Sequence, residues 1–197
     1  MEPSAALGLA TSAGLNAYIP LLIYGVLARY TDWVNLPEGW TWLSDPILLI
    51  IIGVLLAIEI VADKVPAVDS VNDIIQTLVR PTSGGLMFAS AFGDQTVGDS
   101  SVWSEPKTWI LLVVGFGVAL AMHLLKTTTR PVVNTTTVGV GAPVVSTAED
   151  VFSAGLATSA VFAPALVLVL IAIVVAPAAW LIWRFGASRR RAKQTSE

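Results

Sequence analysis

Between Ile47 and Ile58 the sequence reads ILLIIIGVLLAI, twelve residues without one polar side chain. With its flanks the run extends from Pro46 to Asp63. A helix that crosses a bilayer needs about 20 mostly apolar residues. Three more stretches approach or reach that length: Ala5 to Tyr30, Trp109 to Lys126 and Val151 to Phe185. The first is interrupted by Gly14, Asn16 and Pro20. The last is too long for one straight span. Pro164 and Pro177 are expected to kink or divide it, because proline removes a backbone donor and crowds the preceding turn. Little remains to face water: 55% of the residues are hydrophobic and 13% charged, against roughly 25% charged in a soluble domain. The expectation is an all-α polytopic membrane protein with four to six transmembrane helices. Residues 1–185 form a single integral membrane domain, and residues 186–197 a basic cytoplasmic tail. The first 28 residues hold no Lys or Arg, and Glu2 stands where a signal peptide would be positive, so cleavage is not expected.

Two stretches are less regular. Ser70 to Gly93 begins as an amphipathic helix and is expected to break at Pro81-Thr82-Ser83-Gly84-Gly85. Pro131 to Ser146 is rich in hydroxyls, Gly and Val and has no helical period. Both read as broken or re-entrant elements, since non-helical backbone at membrane depth needs cover from protein or a water-filled cavity. Surface loops and an interfacial helix are the plainer alternative. Within the second stretch, Thr137-Val138-Gly139-Val140-Gly141 resembles a potassium-filter run, but Pro131 and the β-branched residues before it make a poor pore helix.

The hexapeptide Gly8-Leu9-Ala10-Thr11-Ser12-Ala13 recurs as Gly155-Leu156-Ala157-Thr158-Ser159-Ala160. Small residues let membrane helices approach, and hydroxyls bond across the contact. Gly8, Thr11, Ser12, Gly155, Thr158 and Ser159 are therefore the expected helix-packing residues. A weaker echo joins Arg80-Pro81 to Arg130-Pro131. In a four-span arrangement, with the irregular stretches on opposite sides, these echoes have the pattern of an inverted repeat, as in many transporters.

The polar residues fall into groups. Glu59 and Asp63 share one helix face, Glu59 inside the apolar run. Carboxylates there are costly and often functional, although both could reach the interface or pair with Lys64. Asp69, Asp73, Gln76 and Arg80 make one polar stripe, backed by Ile74, Ile75, Leu78 and Val79. That stripe lines a vestibule or rests in headgroups. Lys126, Arg130 and Asn134 follow the third span, and Glu149 and Asp150 precede the fourth, where carboxylates suit a helix N-terminus. His123, the single histidine, is a packed residue or a site for a proton-coupled step.

Lys and Arg counts favour cytoplasmic termini, with Lys64 and Arg80 inside and Lys126 and Arg130 outside in the four-span arrangement. There is no cysteine, so thiolate metal sites and cysteine nucleophiles are excluded. A phosphate loop, HExxH and GxSxG are also missing. No enzyme activity, cofactor, metal or nucleic-acid partner is expected.

Three segments carry a family resemblance: ATSAGLNAY from Ala10, EIVADKVPAVD from Glu59 to Asp69, and KTTTRPVVN with VVSTAED between Lys126 and Asp150. They resemble the bacterial membrane family catalogued as domain of unknown function 4126. The resemblance implies a multi-pass protein of the bacterial cytoplasmic membrane and brings no activity. From the residues themselves, the expected function is a small channel or secondary transporter for an ion or small polar solute, working as a homo-oligomer, most simply a dimer. The alternative is an assembly or lipid-handling protein that transports nothing. Transport requires Glu59, Arg80 and Arg130 to converge on one hydrated cavity; assembly scatters them around the interface.

Overall fold

The structure is a computed structural model that describes residues 2–64, 66–92, 102–137, 140–177 and 180, leaving aside the side chains of 66–71, 132 and 134. The basic tail expected at 186–197 lies outside the described residues. All regular structure among the described residues is helical: α1 (Pro3–Leu15), α2 (Tyr18–Tyr30), α3 (Pro46–Ala62), α4 (Pro66–Phe92), α5 (Pro106–Thr137), α6 (Ala142–Phe162) and α7 (Pro164–Pro177), with short 3-10 turns at Glu38–Ser44 and Val102–Ser104.

Helix α1 is the centre of the molecule. Its side chains from Ala5 to Leu15 are all buried except Leu7. It packs on α4, α5 and α6. Its sequence, PSAALGLATSAGL, has side chains small enough for three neighbours to close around one backbone. At Asn16 the backbone turns extended and α1 ends. The Asn16 Oδ1 atom then accepts from the amides of Tyr18 and Ile19 at 3.0 and 3.2 Å, capping the new helix. Asn16 lies beside Asp150 of α6, while Trp33, just past α2, meets Phe162 at the end of α6 edge to face. Thus α1 and α2 fold back on each other, and the stretch read as one interrupted span is a helical hairpin.

Helix α3 follows the apolar run. Asp45 accepts from the amides of Ile47 and Leu48, and Pro46 takes the first turn, where a missing N–H costs nothing. The exposed side of α3 is apolar, with Ile47, Ile50, Val54, Ile58 and Val61 outward and Glu59 inward. The same inversion holds on α4. Ile74, Ile75 and Leu78 are 75%, 60% and 70% exposed, whereas Gln76 and Arg80 are 2% and 0% exposed. The polar stripe faces the protein, and its apolar backing faces out.

The two stretches expected to be irregular are helical. Helix α4 continues through Pro81, and α5 continues through Pro131 to Thr137. Hydroxyls support these turns: Thr82 donates to the Leu78 carbonyl, Thr129 to Leu125, Thr135 to Pro131 and Thr137 to Val133. Side chains of this kind bond back to the preceding turn and can bend a helix without ending it. The filter-like run therefore begins at the last residue of α5, and its Val138 and Gly139 lie outside the described residues. Pro164 does divide the last stretch, between α6 and α7.

Helices α4 and α5 run antiparallel in close contact. A Cβ at Gly84 would overlap Ala119, and one at Gly115 would overlap Phe88. Trp40, Trp42 and Trp103 gather at one end of the bundle, with the Trp40 and Trp103 rings 5.0 Å apart. The buried charged residues, Glu59, Asp63, Arg80, Lys126 and Arg130, gather towards the other end. By length and composition α5 qualifies as a membrane-crossing helix, and α3 does so if joined to the 3-10 turn before it across a bend of 54°.

Candidate functional site

The charged end is built where α1 stops. A helix leaves its last carbonyls without intrahelical partners. Lys126 of α5 donates to one of them, Leu15 O, at 3.0 Å, and its positive charge suits a helix C-terminus. Ser83 of α4 donates to the Ala17 carbonyl at 2.7 Å. The α1–α2 break is thus held by α4, α5 and α6, and Lys126 also points into the ion-pair network.

Asp63, which caps α3, is the hub. Its Oδ2 lies 3.1 Å from Lys126 Nζ, 3.2 Å from Arg130 Nη2 and 3.5 Å from Arg80 Nη2. Its Oδ1 accepts from Asn72 at 2.9 Å. One turn back on α3, Glu59 Oε1 accepts from Arg80 Nη2 at 2.8 Å. On the far side, Glu149 of α6 lies 3.0 Å from Lys126 and 2.8 Å from Arg130. Asp150 accepts from Asn16 at 3.0 Å and has Lys64 at 3.9 Å. Four helices are joined through buried charges. Each of these carboxylates has a cation close by, the condition under which buried charges persist.

His123 extends the network. Its Nδ1 faces Arg80 Nη1 at 3.4 Å, and its Nε2 faces Thr77 Oγ1 at 3.0 Å. A guanidinium only donates. The Nδ1 atom is therefore the acceptor and Nε2 carries the proton. Thr77 accepts from it and passes its own hydroxyl to the Asp73 carbonyl at 2.7 Å.

Several buried polar atoms have no protein partner: Glu59 Oε2, Asp73 Oδ1, Gln76 Oε1, Arg80 Nε and Ser146 Oγ. Two of them belong to one ion pair. The Nε and Nη2 donors lie along one edge of a guanidinium, the edge that usually takes a carboxylate with two parallel bonds. Arg80 and Glu59 make one of the two, which leaves Nε and Oε2 unmatched.

The structure brings together Glu59, Asp63, Arg80, His123, Lys126, Arg130, Glu149 and Asp150, with Asp73 at the margin. This places Lys64, Arg80, Lys126 and Arg130 at one end of the bundle, and not on the two sides that the charge count in a four-span arrangement predicts. Asp63 joins three of them at hydrogen-bonding distance, a relation invisible to a count of charges by loop. Glu149 and Asp150 stand on the second and third turns of α6, which begins at Ala142, and do not cap its N-terminus. The side chains of Asp69 and Asn134 lie outside the described residues.

The two copies of the hexapeptide occupy different surroundings. Gly8 packs closely, its Cβ position 2.9 Å from Val167 and 3.2 Å from Ala160. Thr11 is buried and bonds to the Leu7 carbonyl, and Ser12 bonds across to α6. Gly155 opens on space, Thr158 is exposed and Ser159 is half-buried. The partner of Ser12 is Ser153, outside the repeat. Each serine donates to the other's carbonyl, at 2.8 and 3.0 Å. Sequence reasoning missed Ser153, Asn16, Asn72 and Thr77. Asn16 alone carried a signal, as a polar residue at a break in an apolar stretch.

Neither a curated protein nor a solved structure matches the chain. A family does match, over residues 4–184, which include every helix described above apart from the first residue of α1. The chain therefore belongs to the family described as "Domain of unknown function (DUF4126)".

Proposed function

We propose that the protein is a small channel or secondary transporter for an ion or small polar solute, set as a multi-pass protein in the bacterial cytoplasmic membrane. The observation that carries this reading is the convergence of Glu59, Asp63, Arg80, Lys126 and Arg130 at the break between α1 and α2. Intramembrane charges that face a bundle interior commonly mark a solute path, and helix breaks there supply backbone groups to line it. The outward apolar faces of α3 and α4 support the membrane setting. Helices α3 to α6 make an even number of crossings and keep the segments that flank them on one face. The Arg-rich tail assigns that face, with both termini, to the cytoplasm. The antiparallel contact of α1 with α6, and the paired arginines before Pro81 and Pro131, support an inverted repeat of permuted order. A dimer is the simplest assembly, since one chain has little material to enclose a pore alone.

The test is flux in proteoliposomes, with cations, anions and protons screened in turn. Wild type is compared with Glu59→Gln and Arg130→Gln. A flux that falls at least tenfold in either variant supports the reading. Well-folded, correctly inserted protein without flux overturns it and favours the alternative, a non-transporting assembly or lipid-handling protein. The near-complete pairing of the charges around Asp63 is the feature that such a structural clamp would share.

A further inference from the structure

Lys126 and Arg130 each meet two carboxylates, and the two carboxylates are not equivalent. The side chains of Asp63 and Lys126 are 1% exposed, and that of Glu149 is 13% exposed. Asp63 sits deep, where it also faces Arg80. Glu149 sits at the rim. One of its oxygens, Oε2, takes both cations, with Lys126 Nζ at 3.0 Å and Arg130 Nη2 at 2.8 Å. Two cations that converge on one oxygen make a cradle for an anion. Here the anion is carried on α6, which packs along α1 and α2 and meets α5 only lightly.

The departure of Glu149 from the cradle strands no cation. Lys126 keeps Asp63 at 3.1 Å and the Leu15 carbonyl at 3.0 Å, and Arg130 keeps Asp63 at 3.2 Å. The departing carboxylate reaches water at the rim, so the exchange avoids the heavy cost of a buried, unpaired charge. Replacement of that carboxylate by another monovalent anion leaves the local charge unchanged. The newcomer meets the same neighbours as Glu149 does, the negative charge of Asp63 included. A further donor stands by. Ser146 is buried and its hydroxyl has no protein partner. It precedes Glu149 and Asp150 by three and four residues, which sets it on their face of α6. A hydroxyl can donate to an anion.

We infer that Lys126 and Arg130, with Ser146, form a binding site for a small monovalent anion, a halide or a short carboxylate, and that the Glu149 carboxylate is its tethered occupant. The solute enters by replacing Glu149, which turns out towards the rim. When the solute leaves, Glu149 closes the site again. This rests on the transport reading above and gives the solute its sign.

The test uses the purified full chain in detergent. Thermal unfolding is followed in sodium formate or sodium chloride against sodium gluconate, a far bulkier anion, at equal ionic strength. Glu149→Ala removes the occupant and is expected to gain roughly 4 °C as formate or chloride is raised, by the usual linkage of binding to stability. Glu149→Gln keeps the shape without the charge and gives the same reading where the alanine variant does not fold. Wild type is expected to need at least tenfold more anion for the same shift, because its own carboxylate competes. In the Glu149→Gln background, Arg130→Gln is expected to abolish the response and Ser146→Ala to weaken it at least threefold. Glu149 variants that respond to neither anion overturn the inference, as does a wild type without any anion-specific shift or a response that survives Arg130→Gln. A response unchanged by Ser146→Ala overturns the place given to the serine. Binding is read without flux, so the two proposals fail separately. Anion-dependent stability without flux removes transport alone; flux with anion-independent stability removes this site alone.

Discussion

Asp63 Oδ2 and Lys126 Nζ lie 3.1 Å apart with both side chains only 1% exposed, and the same oxygen faces both Arg80 and Arg130. One carboxylate oxygen thus serves three cations from two helices. The same lysine closes the end of α1, so helix termination and charge pairing share one residue.

Removing that carboxylate leaves three cations buried with fewer partners. Asp63→Ala is expected to destabilise the protein by about 3–5 kcal/mol, the usual cost of breaking a buried pair from one side. Asp63→Asn keeps the shape and should lose most of the same amount. Equilibrium unfolding in mixed micelles measures both; a loss below about 1 kcal/mol would contradict the hub role.

The contact of Arg80 with His123 fixes a tautomer. In nitrogen-15 spectra of histidine-labelled protein, His123 should be neutral with its proton on Nε2. His123→Asn can still accept from Arg80, whereas His123→Lys sets a second cation against the guanidinium. The lysine variant is expected to be the less stable of the two by at least 1 kcal/mol. A proton found on Nδ1 would reject the hydrogen-bond direction assigned here.

Two glycines of α5 should respond in opposite directions. Gly115→Ala forces a methyl into Phe88 and the Gly84 carbonyl, and should cost about 1–3 kcal/mol. Gly117 has nothing within 4 Å of its Cβ position, so Gly117→Ala should stabilise by about 0.5–1 kcal/mol through the unfolded chain. Equal effects at both sites would mean that the α4–α5 approach is looser than described.

The reciprocal serines invite a double-mutant cycle. Ser12→Ala and Ser153→Ala each remove one of the two hydroxyl-to-carbonyl bonds, and each removes the 2.9 Å contact between the two hydroxyls. The double variant should be less destabilised than the sum of the singles, with a coupling of about 0.5–2 kcal/mol. Additive losses would show that each serine acts alone.

Much of the fold was legible in the apolar runs. Pro46 and the uninterrupted aliphatic stretch give α3 nearly to the residue, and Pro164 marks a true break. Pro81 and Pro131 misled, because a helix can continue through a proline, and the threonines that here bond back to the turn before them look like loop composition. The α1–α2 hairpin was hidden for a related reason: Asn16 signals a break but not the direction of the chain after it. For the site, a costly position was readable at Glu59 and a polar face at Gln76 and Arg80. Their meeting with Lys126 and Glu149 depends on α4, α5 and α6 packing around α1, and residues far apart in sequence leave no periodic trace of such a meeting.

The central position of α1 has a consequence for assembly. Its packing surfaces belong to α4, α5 and α6, which leave the ribosome after it. Helix α1 therefore finds its neighbours only after they are made, and must wait in a hairpin with α2 while they are synthesised. Its run of alanine, glycine and hydroxyl side chains offers a weak grip on lipid during that wait. Damage to α6, more than a hundred residues downstream, would leave α1 without its niche, so faults late in the chain should be registered as failure of its beginning.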